Sequence, residues 1–192
     1  MFYALTFFSG ARRQIFVVFA GFLMVEKFGY SVADISALFL INYVFNWLFA
    51  AKIGKIIGVV GERKVLKFEY IGLILLFVAY GLVENGTIAA VLYVIDHLFF
   101  ALAIAIKTYF QKIAKPEDIA STAGVSFSIN HIAAVVIPAI LGVVWVINSS
   151  WVFYVGAAFA CCSLVLSHLI PTTPSLGCEF KYLEGKEKGS NA

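Results

Sequence analysis

The chain has 192 residues, of which 62% are hydrophobic and 13% are charged, and its mean hydropathy is +0.95. A soluble domain of this length is about half apolar and about one quarter charged, so this composition excludes an ordinary globular core and predicts a polytopic membrane protein. The net charge of +3 does not indicate nucleic-acid binding, because it comes from lysines placed around certain connections between apolar segments. The three cysteines, two of them adjacent, do not form the pattern of a disulfide framework.

Apolar segments follow one another along the chain, each about long enough to cross ~30 Å of hydrocarbon at ~1.5 Å per residue. They lie at 2–26, 34–56, 67–84, 88–112, 118–147 and 150–170. The connections are short and carry turn signals such as EKFGYS and VENGT. We therefore predict an all-α polytopic membrane protein, with a six-helix transmembrane bundle over 1–170 and a polar, disordered cytoplasmic tail over 171–192.

Two adjacent arginines, Arg12 and Arg13, interrupt the first apolar segment. The apolar run after them, Ile15 to Val25, is too short to span a bilayer by itself. Joining the runs on both sides gives a helix of about 38 Å and places the arginines about 15 Å from its start, near mid-membrane. The alternative is that the helix begins at Ala11 and that the pair is a cytoplasmic anchor.

Orientation follows from the basic residues, which cluster at the second-to-third and fourth-to-fifth connections and in the tail. The other connections contain only Lys27. Because cytoplasmic loops are enriched in Lys and Arg, both termini are predicted to be cytoplasmic. We expect a multi-pass protein of a plasma membrane, the inner membrane of a bacterium.

Polar residues are unevenly distributed among the segments. The fourth holds Asp96 and His97 near its middle, and the second holds Asn42 and Asn46. The fifth holds a polar group that ends in Asn130 and His131. Because lipid cannot satisfy such groups, segments one and four are expected to line a polar cavity, two and five to flank it, and three and six to face lipid.

Each of these groups also has a structural interpretation. Columns of Asn and Ser serve as hydrogen-bonding contacts between transmembrane helices. His131 could be a hydrogen-bonded histidine inside the bundle. The arginines could be held by Asp96 as a structural ion pair, which would leave one guanidinium free for an anion.

The connection GKIIGVVGERKVL, at 54–66, is similar to the cytoplasmic loop motif of the major facilitator superfamily. Gly54, Gly61, Arg63 and Lys64 match that motif, and the number and polarity of the segments resemble the C-terminal six-helix half of such a transporter. The acidic position and the first basic position of the motif hold Gly and Val here, which puts its role as a cytoplasmic gate latch in doubt. The resemblance covers 1 to about 170.

The resemblance implies twelve spans around a central cavity, twice the number predicted here. The chain is therefore expected to be a fragment, a split gene product, or a half that pairs with an N-terminal six-helix half or a second copy of itself. No cofactor, metal ion or nucleic acid is expected as a partner.

The leading hypothesis is secondary active transport of a small anionic solute by alternating access. The residues expected to bind the solute are Arg12, Arg13, Asn130, His131, Asn42 and Asn46. Asp96 and His97 are the candidates for proton coupling, because a buried carboxylate or imidazole can change protonation near neutral pH.

Two alternatives remain open. The chain could be a non-functional or regulatory fragment of a transporter. It could also be a six-span intramembrane hydrolase, in which Ser9 of FFSGAR and His131 of SINHIA would act together, although no His-Glu-x-x-His motif is present. The prediction is that the protein is not an enzyme.

Overall fold

The structure is a computed structural model and describes residues 1–182. The regular elements in this part of the chain are helices: α1 (Phe2–Gln14), a π-helical segment (Ile15–Ala20), α2 (Gly21–Phe28), α3 (Val32–Val60), α4 (Glu62–Leu82), α5 (Gly86–Leu102), α6 (Ile104–Ile113), α7 (Pro116–Ile147) and α8 (Ser149–Ser167). A single β-bridge joins Ser175 and Cys178. The all-α class predicted from the sequence is confirmed.

These helices form six stretches that are long and apolar enough to cross a membrane within the described residues. We call them the first to sixth spans, and they are Phe2–Phe28, Val32–Val60, Glu62–Leu82, Gly86–Ile113, Pro116–Ile147 and Ser149–Ser167. The polytopic membrane architecture is confirmed, and the predicted bounds agree with the observed ones to within a few residues.

Local sequence signals define the ends of several spans. Ser31 caps the second span and forms a reciprocal capping box with Asp34, and the side chains of Asn85 and Asn148 accept from the first backbone N–H groups of α5 and α8. Gly61 has φ +88°, which allows the abrupt turn between α3 and α4. Such caps satisfy backbone groups that have no partner inside the helix.

The third and sixth spans pack most closely together. A Cβ atom added at Gly156 would lie 2.8 Å from the ring of the buried Phe77, so the absence of a side chain there allows the close approach. The first span packs against the fifth and sixth, and the fourth against the second and third. The second span is almost wholly exposed: only Asn42 and Ile57 of its residues are buried.

The segment after the sixth span folds back on the bundle over 171–182. The hydroxyl of Tyr109 donates to the carbonyl of Glu179 at 2.7 Å, and the N–H of Lys181 donates to the carbonyl of Leu169 at 2.9 Å. Cys178 is buried. Within 171–182, one backbone carbonyl and one backbone N–H thus have partners outside the segment, whereas the division of the chain into a bundle over 1–170 and a polar tail over 171–192 stays a prediction. The rest of that prediction, 183–192, lies outside the described residues.

Candidate functional site

Arg12 is completely buried at the point where the first span meets the third and sixth. One guanidinium nitrogen, Nη1, donates to Ser163 Oγ at 2.5 Å, and the other, Nη2, lies 3.8 Å from Glu69 Oε1. The guanidinium carbon lies 4.7 Å from the centre of the Tyr70 ring. Arg12 is thus held by a carboxylate, a hydroxyl and an aromatic face within the bundle.

The helices place each partner of Arg12 by their own periodicity. Glu69 and Tyr70 belong to the buried stripe of α4, which recurs every three or four residues and begins at Glu62. Ser163 donates its hydroxyl hydrogen to the carbonyl of Phe159 on its own helix at 3.0 Å, so its oxygen lone pairs point to the guanidinium. The close packing of the third and sixth spans brings both partners to the same arginine.

The two arginines are separated by the fold. Arg13 is exposed, whereas Arg12 is enclosed, because successive residues on a helix point about 100° apart. The expected pair of solute-binding guanidinium groups is therefore not assembled on one surface in this conformation. The ion-pair partner of Arg12 at 3.8 Å is Glu69, not the Asp96 considered from the sequence.

Glu69 is a completely buried charged residue that does not belong to the set of site residues predicted from the sequence. Its position on the stripe of α4 is the signal that could have identified it, since it lies two turns after Glu62, which is also buried. A carboxylate on the buried stripe of a transmembrane helix requires a cation or a proton.

Asp96 is completely buried in the fourth span. Neither of its carboxylate oxygens has a hydrogen-bond partner among residues 1–182. The next residue, His97, is partly buried, and its ring centre lies 5.3 Å from that of Phe16, 5.5 Å from that of Tyr93 and 6.3 Å from that of Phe39. The two predicted proton-coupling residues thus lie at the junction of the first, second and fourth spans.

The two asparagines predicted on the second span have different environments. Asn42 is buried, and neither its amide oxygen nor its amide nitrogen has a partner in the described part of the chain. Asn46, one turn later, is exposed. Asn42 is near Phe39 on the same face of α3, the face that meets the fourth span. The exposed amide of Asn46 is therefore the one that a ligand or a partner helix can reach in this conformation.

Asn130 and His131 are both exposed on the fifth span and bond to their own helix. The Asn130 amide donates to the carbonyl of Ser126 at 2.9 Å, and His131 Nδ1 lies 2.9 Å from the carbonyl oxygen of Phe127. The Asn130 side-chain oxygen also packs closely on Gly10, so a Cβ added at Gly10 would require the amide of Asn130 to move. His131 is therefore not the buried bundle histidine considered from the sequence.

The hydrolase alternative requires that Ser9 and His131 meet. These two described residues make no hydrogen bond with each other, and the bond of the imidazole is to its own helix. In residues 1–182, no group of three or more His, Cys, Asp or Glu side chains is placed to hold a metal ion.

The connection between the second and third spans forms an ion pair with the end of the fourth. Lys112 Nζ lies 2.6 Å from Glu62 Oε1, and this carboxylate is buried although the lysine is about half exposed. Of the predicted motif residues, Arg63 is partly exposed and Lys64 is exposed, and Gly61 supplies the turn. Glu62, which lies between Gly61 and Arg63, thus makes the charged contact of this connection.

A cavity of about 670 Å³ opens between the ends of the first and fifth spans. It is lined by Phe22, Glu26 and Trp145, among others, and the indole N–H of Trp145 donates to Glu26 Oε2 at 2.9 Å. The sequence reading did not identify this cavity, because it depends on how two helix ends meet.

No protein-family model, curated protein or solved structure shows a significant match to this chain. The distribution of polar and charged side chains on the bundle is therefore the basis for a functional conclusion.

Proposed function

We propose that the chain is one half of a secondary active transporter of the major facilitator type, which moves a small anionic solute by alternating access. The observation that carries this proposal is the uneven distribution of exposed polar side chains among the spans. Within the first, second, fourth and fifth spans, the exposed side chains include the following polar groups: Arg13, Asn46, Lys107, Ser128, Asn130 and His131.

The third and sixth spans expose a different kind of surface. From Phe68 to Leu82 every exposed side chain is apolar, and the middle of the sixth span exposes hydrocarbon, aromatic and thiol groups. Charged and amide groups within a membrane face water or a protein partner, because lipid cannot satisfy them. The apolar surface is suited to lipid, and the polar surface is suited to a water-filled cavity shared with a second half.

The second span supports the need for a partner. Large side chains such as Leu40, Tyr43 and Trp47 are exposed along it, and little of this helix is covered by the chain's own spans. In the proposed assembly, an N-terminal half or a second copy covers this helix and the fifth span. Rocking of the two halves would open the cavity to each side of the membrane in turn.

Arg13 is the proposed contact for the anion, since it is the exposed member of the arginine pair. Asp96 and His97 are the proposed proton-coupling groups. Arg12 holds the first span against the third and sixth and so positions its neighbour. We also propose that both termini face the cytoplasm, as the placement of basic residues in the connections indicates, and that the protein resides in a bacterial inner membrane.

Cysteine accessibility tests the proposal directly. In a chain whose native cysteines are replaced by alanine, cysteines are placed singly at 13, 46 and 131, and at Leu75 and Val78 on the third span as matched controls. Membrane-impermeant thiol reagents are expected to label the first three and to spare the two controls, because only the first three face water.

Protection by solute adds the functional part of the test. Labelling at 46 and 131, in chains that keep Arg13, is expected to slow in the presence of a small carboxylate or phosphate probe, and this slowing is expected to be lost when Arg13→Gln is added. Equal labelling on both faces, or labelling of the third span alone, would contradict a water-filled cavity between the spans named above.

A further inference from the structure

Three ionisable side chains from three different spans are completely buried in the same part of the bundle. Arg12, Glu69 and Asp96 each have 0% of their surface exposed. The guanidinium of Arg12 lies 3.8 Å from Glu69. Phe16, one turn after Arg12, has its ring centre 4.7 Å from that of Tyr93 and 6.1 Å from that of Phe100, and these two residues lie on the same face of the fourth span as Asp96. Bulk water does not reach these three side chains in this conformation. The free-energy cost of burying them therefore depends on their total charge.

The charges of this group do not balance if both carboxyl groups are ionised. One guanidinium faces two carboxylates, and Arg cannot lose its proton. The group would then bury one uncompensated negative charge, which is strongly unfavourable in a dry interior. A single proton on one of the two carboxyl groups restores neutrality.

The contacts indicate which carboxyl group carries that proton. Glu69 has the guanidinium as its ion-pair partner, whereas Asp96 has no ion pair and no hydrogen bond in the described residues. We infer that Arg12, Glu69 and Asp96 form one buried proton-binding site, in which Asp96 holds the proton while Arg12 pairs with Glu69.

The contact between the guanidinium and Glu69 is loose, although Ser163 and the Tyr70 ring also hold the guanidinium. Its Nε and Nη2 donors make no hydrogen bond, and neither do the Glu69 oxygens, so the ion pair is not locked by bidentate geometry. If the guanidinium moves to Asp96, the proton passes from Asp96 to Glu69, and the group stays neutral. The position of Arg12 then determines which span carries the proton, and this links proton movement to the packing of the first span.

Several other titratable groups adjoin the two carboxyl groups. They are Tyr70 and Tyr80 from the third span, and Tyr93 and His97 from the fourth. Arg13 and Tyr43 are exposed and adjoin His97 and Tyr93, respectively, so the exposed guanidinium is not counted in the charge of the buried group. The tyrosines are neutral at neutral pH. A proton on the imidazole of His97 would balance the same charge, so the experiment must distinguish a carboxylic acid from an imidazolium.

Infrared spectroscopy of the full chain in lipid vesicles makes this distinction, because a protonated carboxyl group has a carbonyl band separate from that of a carboxylate. The wild-type protein at neutral pH is expected to show this acid band. Carboxyl-labelled aspartate is expected to shift the band, which places the proton on Asp96 without any substitution. Absence of the band, as a proton on His97 would produce, or failure of the label to shift it overturns the inference.

Two variants test whether the site is shared. In Glu69→Gln the guanidinium becomes available to Asp96, and in Asp96→Asn it remains with Glu69. Each variant is expected to lose the acid band, because one carboxylate and one guanidinium then balance. An acid band of unchanged intensity in folded Glu69→Gln would show that Asp96 is protonated independently of the ion pair and would overturn the shared site.

Glu26→Gln is the matched control, since Glu26 lies on the same span as Arg12 but is exposed. Its acid band is expected to equal that of the wild type. The inference deepens the proton coupling proposed above. The infrared experiment measures whether the site holds a proton, and it does not measure uptake of a solute. A protein that holds the proton but transports no solute would therefore refute the proposed transport and leave the proton-binding site standing.

Discussion

The hydrogen bond from Arg12 to Ser163 can be tested by a matched pair of substitutions on one helix. Ser163 and Ser167 lie one turn apart on the sixth span, and both have 0% of their surface exposed. Each donates its hydroxyl hydrogen to a carbonyl of its own helix, at 3.0 Å and 2.6 Å respectively. Only Ser163 also accepts from a guanidinium, at 2.5 Å.

The difference between the two serines sets the expected magnitudes. Ser163→Ala removes a hydrogen bond to a charged group and leaves a buried donor without a partner, which costs about 1.5–3 kcal/mol. Ser167→Ala removes only a local bond between a side chain and its own backbone, which costs about 1 kcal/mol or less. The Ser163 variant is therefore expected to be less stable than the Ser167 variant by about 1–2 kcal/mol.

Thermal unfolding of the purified chain in detergent measures this difference. For a chain of this size, 1–2 kcal/mol corresponds to a Tm lower by about 2–8 °C. Folding of both variants is checked by their helix content and by their elution in gel filtration. Equal losses in the two variants, or a larger loss in Ser167→Ala, would show that the guanidinium gains nothing from the hydroxyl.

Two further predictions concern contacts elsewhere in the bundle. Lys112→Met leaves the buried carboxylate of Glu62 without its cation and should lower the free energy of unfolding by about 1–2 kcal/mol, a modest loss because the lysine is about half exposed. Lys115→Met, the control, should change the free energy of unfolding by less than about 0.5 kcal/mol. Equal losses in a denaturant titration would contradict the pairing of Lys112 with Glu62. Gly156→Leu should destabilise the protein by about 1–3 kcal/mol through overpacking, whereas Gly142→Leu, on a surface with nothing within 4 Å, should be tolerated. Comparable Tm values for the two leucine variants would refute the close packing of the third and sixth spans.

The environments of the predicted site residues could be read from the sequence only in part. The burial of Asp96 agrees with its place in the middle of a long apolar segment. The sequence also put Arg12 and Arg13 inside a span, but it did not show which one turns inward, because that depends on the helices packed beside them. Glu69 was missed as the partner because it lies 57 residues further along the chain, which no local pattern connects to Arg12.

By itself, the sequence determined the helical class, the number of spans and most of their ends. These depend on the length of each apolar stretch and on capping groups within a few residues of each helix end, so they are local properties. Only the tertiary structure decided that one arginine is enclosed and the other exposed, and that Glu69 is the carboxylate that pairs with the enclosed guanidinium. Those outcomes depend on which faces of distant helices meet, since glycine contacts and side-chain shapes set the rotation of each helix about its axis.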